Sequence, residues 1–265
     1  MKIPLYTIDA FTEKQFAGNP AAVCPLLKWL SDDILQSIAA ENNLSETAFF
    51  VKKGDKYELR WFTPTVEVDL CGHATLASAH VIFTHLDYTG QILTFKTNSG
   101  NLYVKKKNDV YLLDFPPYKI TPIKSPQIIE QCLGTAPAET FKGPWFHLAV
   151  FENEETIKKL NPDFNLMEKN GIDVIVTSKG SGEIDFVSRC FVPNEGIPED
   201  PVTGSAHCAL VPYWSDKLGK TNFHARQVSK RGGELYCEYQ GDRVIIGGKA
   251  VTYSIGHIIL DKIAD

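Results

Sequence analysis

The sequence predicts an α+β protein of two pseudo-symmetric lobes, each a curved, mostly antiparallel sheet or barrel wrapped around a central apolar helix. Two observations carry this prediction. One motif occurs twice: Arg60-Trp61-Phe62-Thr63-Pro64, seven residues, then Gly72-His73-Ala74, and again Arg189-Cys190-Phe191-Val192-Pro193, ten residues, then Gly204-Ser205-Ala206. The copies lie about 130 residues apart in a chain of 265, so the repeat is half the chain, which implies a two-lobed duplication rather than a short-period solenoid. After each copy comes a helix that is apolar on nearly every face. Ala74, Leu76, Ala77, Ala79, Val81, Ile82 and Phe83 form one; Ala206, Cys208, Ala209, Leu210, Val211, Tyr213 and Trp214 form the other. Such a helix must be buried all round, and a sheet curled about it is the simplest enclosure in a chain rich in short strands.

The elements follow in order. In the first lobe, 1–115, Ile3 to Phe11 and Ala21 to Leu27 are extended. Ser31-Asp32-Asp33 opens a helix to about Asn42, with a capping serine and acids at the positive end of the helix dipole. Thr47 to Lys52 and Tyr57 to Thr63 are strands, the buried helix runs from His73 to His85, and Ile92 to Lys106 and Val110 to Phe115 are strands again. Clustered prolines at 116, 117, 122 and 126 mark the boundary. The second lobe, 116–250, repeats the scheme loosely from Trp145, with Pro212 expected to kink its helix, and 251–265 is a candidate strand of the first lobe.

Composition excludes several classes. Hydrophobic content of 43% and charged content of 22% are those of an ordinary folded protein. The net charge is −5 and the basic residues are dispersed apart from Lys105-Lys106-Lys107, so no nucleic-acid partner is expected. The N-terminal residues alternate like a strand, and no apolar stretch approaches the roughly 18 residues of a membrane span, so a cytoplasmic protein without a membrane partner is expected. Six cysteines without a C-x-x-C pair read as reduced thiols. Cys71-x-His73 and His207-Cys208 fall short of structural zinc spacing, and no metal or cofactor is expected.

The repeated loop carries the chemistry. Each buried helix begins just after a glycine, and its first N–H groups, together with the helix dipole, suit a carboxylate or phosphate. Two such ends related by a pseudo-twofold axis are expected to face one another across an interlobe cleft. Gly72 and Gly204 permit close backbone approach, while His73 and Ser205 add side-chain donors. Plain capping by Ser205 or Asp200, or a core imidazole at His73, is the alternative reading for any one residue. Two anion grips suit a carbon acid whose deprotonation gathers charge beside a carboxylate. Candidate bases are Glu46, Glu67, Asp69, Asp200, His73 and His207; Glu46 sits between a helix end and an apolar strand, where partial burial favours acid/base work. A symmetric two-thiol mechanism is excluded, because Thr203 stands in the second loop where Cys71 stands in the first.

These stretches carry a resemblance. Phe16-Ala17-Gly18-Asn19-Pro20-Ala21-Ala22-Val23, Ser45-Glu46-Thr47-Ala48-Phe49, both copies of the repeated motif, Glu199-Asp200-Pro201-Val202-Thr203-Gly204-Ser205-Ala206-His207, and Gln227-Val228-Ser229-Lys230-Arg231-Gly232-Gly233 together resemble the PhzF family of phenazine-biosynthesis-like isomerases, whose fold is diaminopimelate-epimerase-like. The resemblance implies Glu46 as the acid/base that moves a proton between carbons of a cyclic carboxylic acid, with His73 and Asp200 beside it as catalytic residues. It implies that His73, Asp200, Ser205 and the backbones of Gly72 and Gly204 bind the substrate, without cofactor or metal, in a homodimer. Two other readings stand beside it: a non-catalytic small-anion-binding or interaction protein with the same cleft, and a metal-dependent hydrolase using His73, His207 and Asp200.

Overall fold

A computed structural model describes residues 1–261. In chain order it comprises β1 (Lys2–Ala10), β2 (Asn19–Leu26), α1 (Asp32–Asn42), β3 (Glu46–Lys53), β4 (Lys56–Phe62), β5 (Glu67–Val68), α2 (Gly72–His85), β6 (Ile92–Thr97), β7 (Gly100–Lys107) and β8 (Val110–Phe115). There follow β9 (Thr121–Ile123), α3 (Gln127–Leu133), β10 (Glu139–Lys142), β11 (His147–Val150), α4 (Glu154–Lys159), α5 (Phe164–Lys169), β12 (Val174–Lys179) and β13 (Phe186–Phe191). The chain ends with β14 (Glu199–Asp200), α6 (His207–Leu218), β15 (Asn222–Gln227), β16 (Gly233–Tyr239), β17 (Val244–Gly248) and β18 (Ala250–Ile259). Residues 262–265, the end of the stretch expected as a closing strand, lie outside the described residues.

The chain forms two compact units: Met1–Asp114 with the chain from Gly247 onward, and Phe115–Ile246. In the first unit the strands pair in the order β18–β1–β2–β3–β4–β6–β7–β8. The β2–β3 and β4–β6 pairs are parallel and the others antiparallel. In the second the order is β9–β10–β11–β12–β13–β15–β16, with β11–β12 and β13–β15 parallel and the others antiparallel. From β18 to β7 in the first unit and from β9 to β16 in the second the pairings correspond one for one, so β18 holds in the first unit the place that β9 holds in the second. Two-residue strands, β5 on β4 and β14 on β13, precede the long helix of each unit.

The duplication is inexact where α1 has its counterpart in two short helices, α4 and α5. The stretch from Ile92 to Lys106 is two strands, folded back at Asn98-Ser99, where the Thr97 hydroxyl donates to the Gly100 carbonyl at 2.8 Å. Ser31 stands at the N-cap of α1 but makes no side-chain cap bond; its carbonyl accepts from Ile34 and Leu35.

The apolar run Ala48-Phe49-Phe50-Val51 of β3 is buried throughout because α1 and α2 both pack against it. On the α1 side, Leu35, Ile38 and Ala39 meet Ile3, Cys24, Phe49 and Phe62 in one cluster. Every residue of α2 from His73 to Ile82 is buried, and the helix packs on β1, β2, β3 and β18. Its buried hydroxyls bond back along the helix, Thr75 to the Cys71 carbonyl and Ser78 to the Ala74 carbonyl, so an all-buried helix leaves neither unsatisfied.

The repeated Arg-x-Phe has a physical reason. Residues two apart share one face of a strand, so the Arg60 guanidinium lies 5.1 Å from the centre of the Phe62 ring and that of Arg189 lies 4.7 Å from Phe191. Each arginine then forks onto the glutamate of the two-residue strand. Arg60 donates to Glu67 at 2.7 and 2.6 Å, and Arg189 to Glu199 at 2.8 and 2.9 Å. These forks anchor the loops that lead into α2 and α6.

Candidate active site

Glu46 is the first residue of β3, in register with Ala21 of β2, and its side chain is 19% exposed. Gly72 opens α2, which brings His73 onto the same place. Glu46 Oε2 lies 3.1 Å from His73 Nε2, and Cys71 Sγ lies 3.5 Å from His73 Nδ1. Burial disfavours charge on the His73 ring, but Cys71 and Glu46, one at each nitrogen, outweigh that and hold its pKa well above the ordinary histidine value. Burial and the Glu46 carboxylate push the Cys71 thiol up despite the opposing pull of His73 and the Ala74 amide, so it stays a neutral S–H. The site therefore sets a carboxyl group and a thiol against opposite nitrogens of one buried imidazole ring.

Glu46 Oε2 and His73 Nε2 are both buried, and among the described residues neither has a hydrogen-bond partner; their 3.1 Å contact is an ion pair without hydrogen-bond alignment. Buried polar atoms are ordinarily bonded, and a pair held close but unaligned is open to a third group that engages both.

Among the described residues, the group of three ligand-bearing side chains within 4.8 Å of one another is Glu46, Cys71 and His73. Its geometry is that of a relay rather than a cage. Glu46 and Cys71 approach opposite nitrogens of one ring, whereas a metal ion needs its donors to converge on one point from a single nitrogen.

In the second unit α6 begins at His207, later than the sequence suggests. Gly204 to Ala206 form a tight turn in which the N–H groups of His207, Cys208 and Ala209 donate three residues back. Thr203 donates its hydroxyl to the Asp200 carboxylate, and Gln227, fully buried, ties the turn from both sides. Its Nε2 donates to the Asp200 carbonyl at 2.7 Å, and its Oε1 accepts from the Thr203 N–H at 2.9 Å. Gly204 is buried and Ser205 half-buried, with no side-chain cap on α6.

Other candidates have different roles. Glu67 is bound to Arg60, and Asp69 is exposed. His207 is a core imidazole: fully buried, its Nδ1 bonded to the Thr203 carbonyl at 2.9 Å, its pKa pushed down to about 4 by burial. Among the described residues, the ligand-bearing group includes neither His207 nor Asp200. Gln227 and the Cys71–His73 contact were not foreseen. Cys-x-His at a helix start is a visible signal for the second, but no local pattern ties Gln227 to a turn 24 residues before it.

The neutral His207 has a consequence for stability. The unfolded chain takes up a proton there below about pH 6.5, while the folded protein resists until about 4. Its contribution is complete above 6.5 and is lost as pH falls to 4, on the order of 3 kcal/mol. His80, held to about 4 by burial and then by His85 and Lys106, adds in the same direction. His73, with its raised pKa, runs the other way: its contribution is complete below 6.5 and fades only as pH rises through its folded value. Urea unfolding at pH 7.5 and 4.5 is expected to show a smaller acid loss in H207Q than in the wild type; an equal loss contradicts this account.

Residues 8–256 match the family described as phenazine biosynthesis-like protein. The chain is 48% identical to an uncharacterized isomerase of Pseudomonas aeruginosa, over 98% of this chain and 100% of the relative. A crystal structure of a PhzF-family phenazine biosynthesis protein from Enterococcus faecalis matches with a TM-score of 0.95 at 49% identity, over 98% of this chain and 100% of that one. A predicted epimerase from Pseudomonas aeruginosa, at 17% identity and a TM-score of 0.74 over 98% of this chain and 100% of that one, shares the fold.

Proposed function

Because the chain belongs to the PhzF family of phenazine biosynthesis-like, isomerase-like proteins, we propose that it is a cofactor-independent isomerase moving a proton between carbons of a small cyclic or amino carboxylic acid. The observation that carries the reading is the buried, unaligned pair of Glu46 and His73 at the start of α2. In this mechanism the His73 imidazolium and the first N–H groups of α2 take the substrate carboxylate. Glu46 withdraws the proton of an adjacent C–H bond, and the electron pair left behind delocalises toward the carboxylate, where those donors lower its energy. Glu46 then returns the proton to a different carbon, and the double bond shifts accordingly. Asp200, Ser205 and the backbones of Gly72 and Gly204 are assigned to holding the substrate. The reading includes a cytoplasmic homodimer.

The test is exchange. Protein incubated in heavy water with a panel of small cyclic and amino carboxylic acids is expected to introduce deuterium at carbon in at least one of them, read by proton NMR. Binding of a panel member without exchange would overturn the isomerase reading and favour a small-anion-binding protein on the same scaffold.

A further inference from the structure

We propose that Cys71 is a positioning residue for the proton transfer: its sulfur accepts from His73 Nδ1–H and so fixes the ring with Nε2 turned to Glu46. The proposal rests on the function proposed above and adds to it a residue whose work is to hold another.

The two ring nitrogens of a histidine are distinct, and which one serves the reaction is set by what the other is bonded to. Here Nδ1 meets Cys71 Sγ at 3.5 Å, within the longer reach of a sulfur hydrogen bond, and Nε2 meets Glu46 at 3.1 Å. The holder is itself held. The Cys71 carbonyl accepts both the N–H of Thr75, at 3.2 Å, and its hydroxyl, so the backbone bearing the sulfur is pinned to the first turn of α2. Cys71 occupies the N-cap of α2, where serine, threonine, aspartate or asparagine is preferred, and it makes no capping bond. The equivalent residue of the second unit, Thr203, likewise turns its side chain onto a neighbouring polar residue, the Asp200 carboxylate. In both loops the residue before the glycine grips a charged side chain of the same loop.

The burial of the thiol suits this task. A neutral sulfur, 7% exposed, accepts a hydrogen bond without bringing a second negative charge beside Glu46. The other five cysteines are all buried, and they serve as controls for any general effect of removing a thiol.

The test reads the ring directly. Protein with nitrogen-15-labelled histidine is titrated by NMR, and the His73 signals are assigned by their absence in H73Q. In C71A the midpoint of His73 is expected to fall, because the sulfur no longer supports the imidazolium, and the ring is expected to lose its single tautomeric signature above the midpoint. C71S, which restores an acceptor, is expected to recover much of both, and C24A to leave them unchanged. On a substrate found by the exchange screen, C71A is expected to lose roughly tenfold in kcat/KM, with a raised KM because the ring that takes the carboxylate is no longer held, the effect of one hydrogen bond. An unmoved His73 midpoint in both C71A and C71S overturns the proposal and leaves the isomerase reading standing. Were panel members to bind without any exchange at carbon, the isomerase reading would fail, while the nitrogen titration would still report whether Cys71 holds the ring.

Discussion

Glu46→Gln is expected to lower turnover by about 10²- to 10⁴-fold, the range lost when a positioned general acid/base is removed, while substrate affinity changes only a few-fold. Glutamine keeps the size of the side chain and its place at the head of β3, so neither the sheet register nor the apolar run behind it is disturbed. What disappears is the only property the mechanism needs from this residue, the capacity to take a proton from carbon and return it. Binding depends instead on the His73 ring and the helix start, which remain. The pH dependence should change as well. With the Glu46 carboxylate present, the imidazolium persists above the ordinary histidine pKa, so wild-type binding of a carboxylate holds through neutral pH and declines only at higher pH. Without it the imidazolium has only Cys71 as its partner, and binding by E46Q should decline at lower pH than in the wild type. Rapid-quench kcat and equilibrium Kd, both measured across pH, separate the two effects. A variant that turns over at the wild-type rate would remove Glu46 from the chemistry.

The fold class was legible because two signals are global. An all-apolar helix demands enclosure, and a motif repeated at half the chain length demands two similar units. Both survive the loss of detail in single-sequence reading. Glu46 and His73 were legible as types: an acid at the head of an apolar strand and an imidazole at the head of an apolar helix. Their separation of 3.1 Å was not, because it depends on how α2 lies against β3, which no local pattern specifies. The start of α6 was misplaced by the same ambiguity, since Gly204-Ser205-Ala206 is as compatible with a tight turn as with a first helical turn. His207 entered as a candidate ligand on residue type alone, and only its complete burial and its bond to the Thr203 carbonyl show it to be core. The recurring arginines were visible as a pattern without a purpose until Glu67 and Glu199 were seen to meet them.

That purpose makes Arg189→Ala a strongly destabilising substitution outside the candidate site, with an expected loss of about 3–5 kcal/mol and a fall in Tm of roughly 10 °C. The Arg189 side chain is 12% exposed and serves four acceptors: the two oxygens of Glu199 and the carbonyls of Ile157 and Leu160, at 3.1 and 2.8 Å, where α4 ends. Removing it leaves a carboxylate that is 19% exposed without its counter-charge and two helix-end carbonyls without their donor. Arg60 is the equivalent residue of the first unit, but its surroundings differ. Its side chain is 22% exposed, and one of its partners, Asp32, is 77% exposed and readily rehydrated. Arg60→Ala should therefore cost less, about 1–2 kcal/mol, between the values for exposed and buried pairs. Arg189→Lys should recover little, because a point charge cannot reproduce the fork onto Glu199 or reach both carbonyls at once. Urea unfolding of the three variants decides the matter: equal losses for Arg60→Ala and Arg189→Ala would show that burial does not govern these forks, and full recovery by lysine would show that charge alone does.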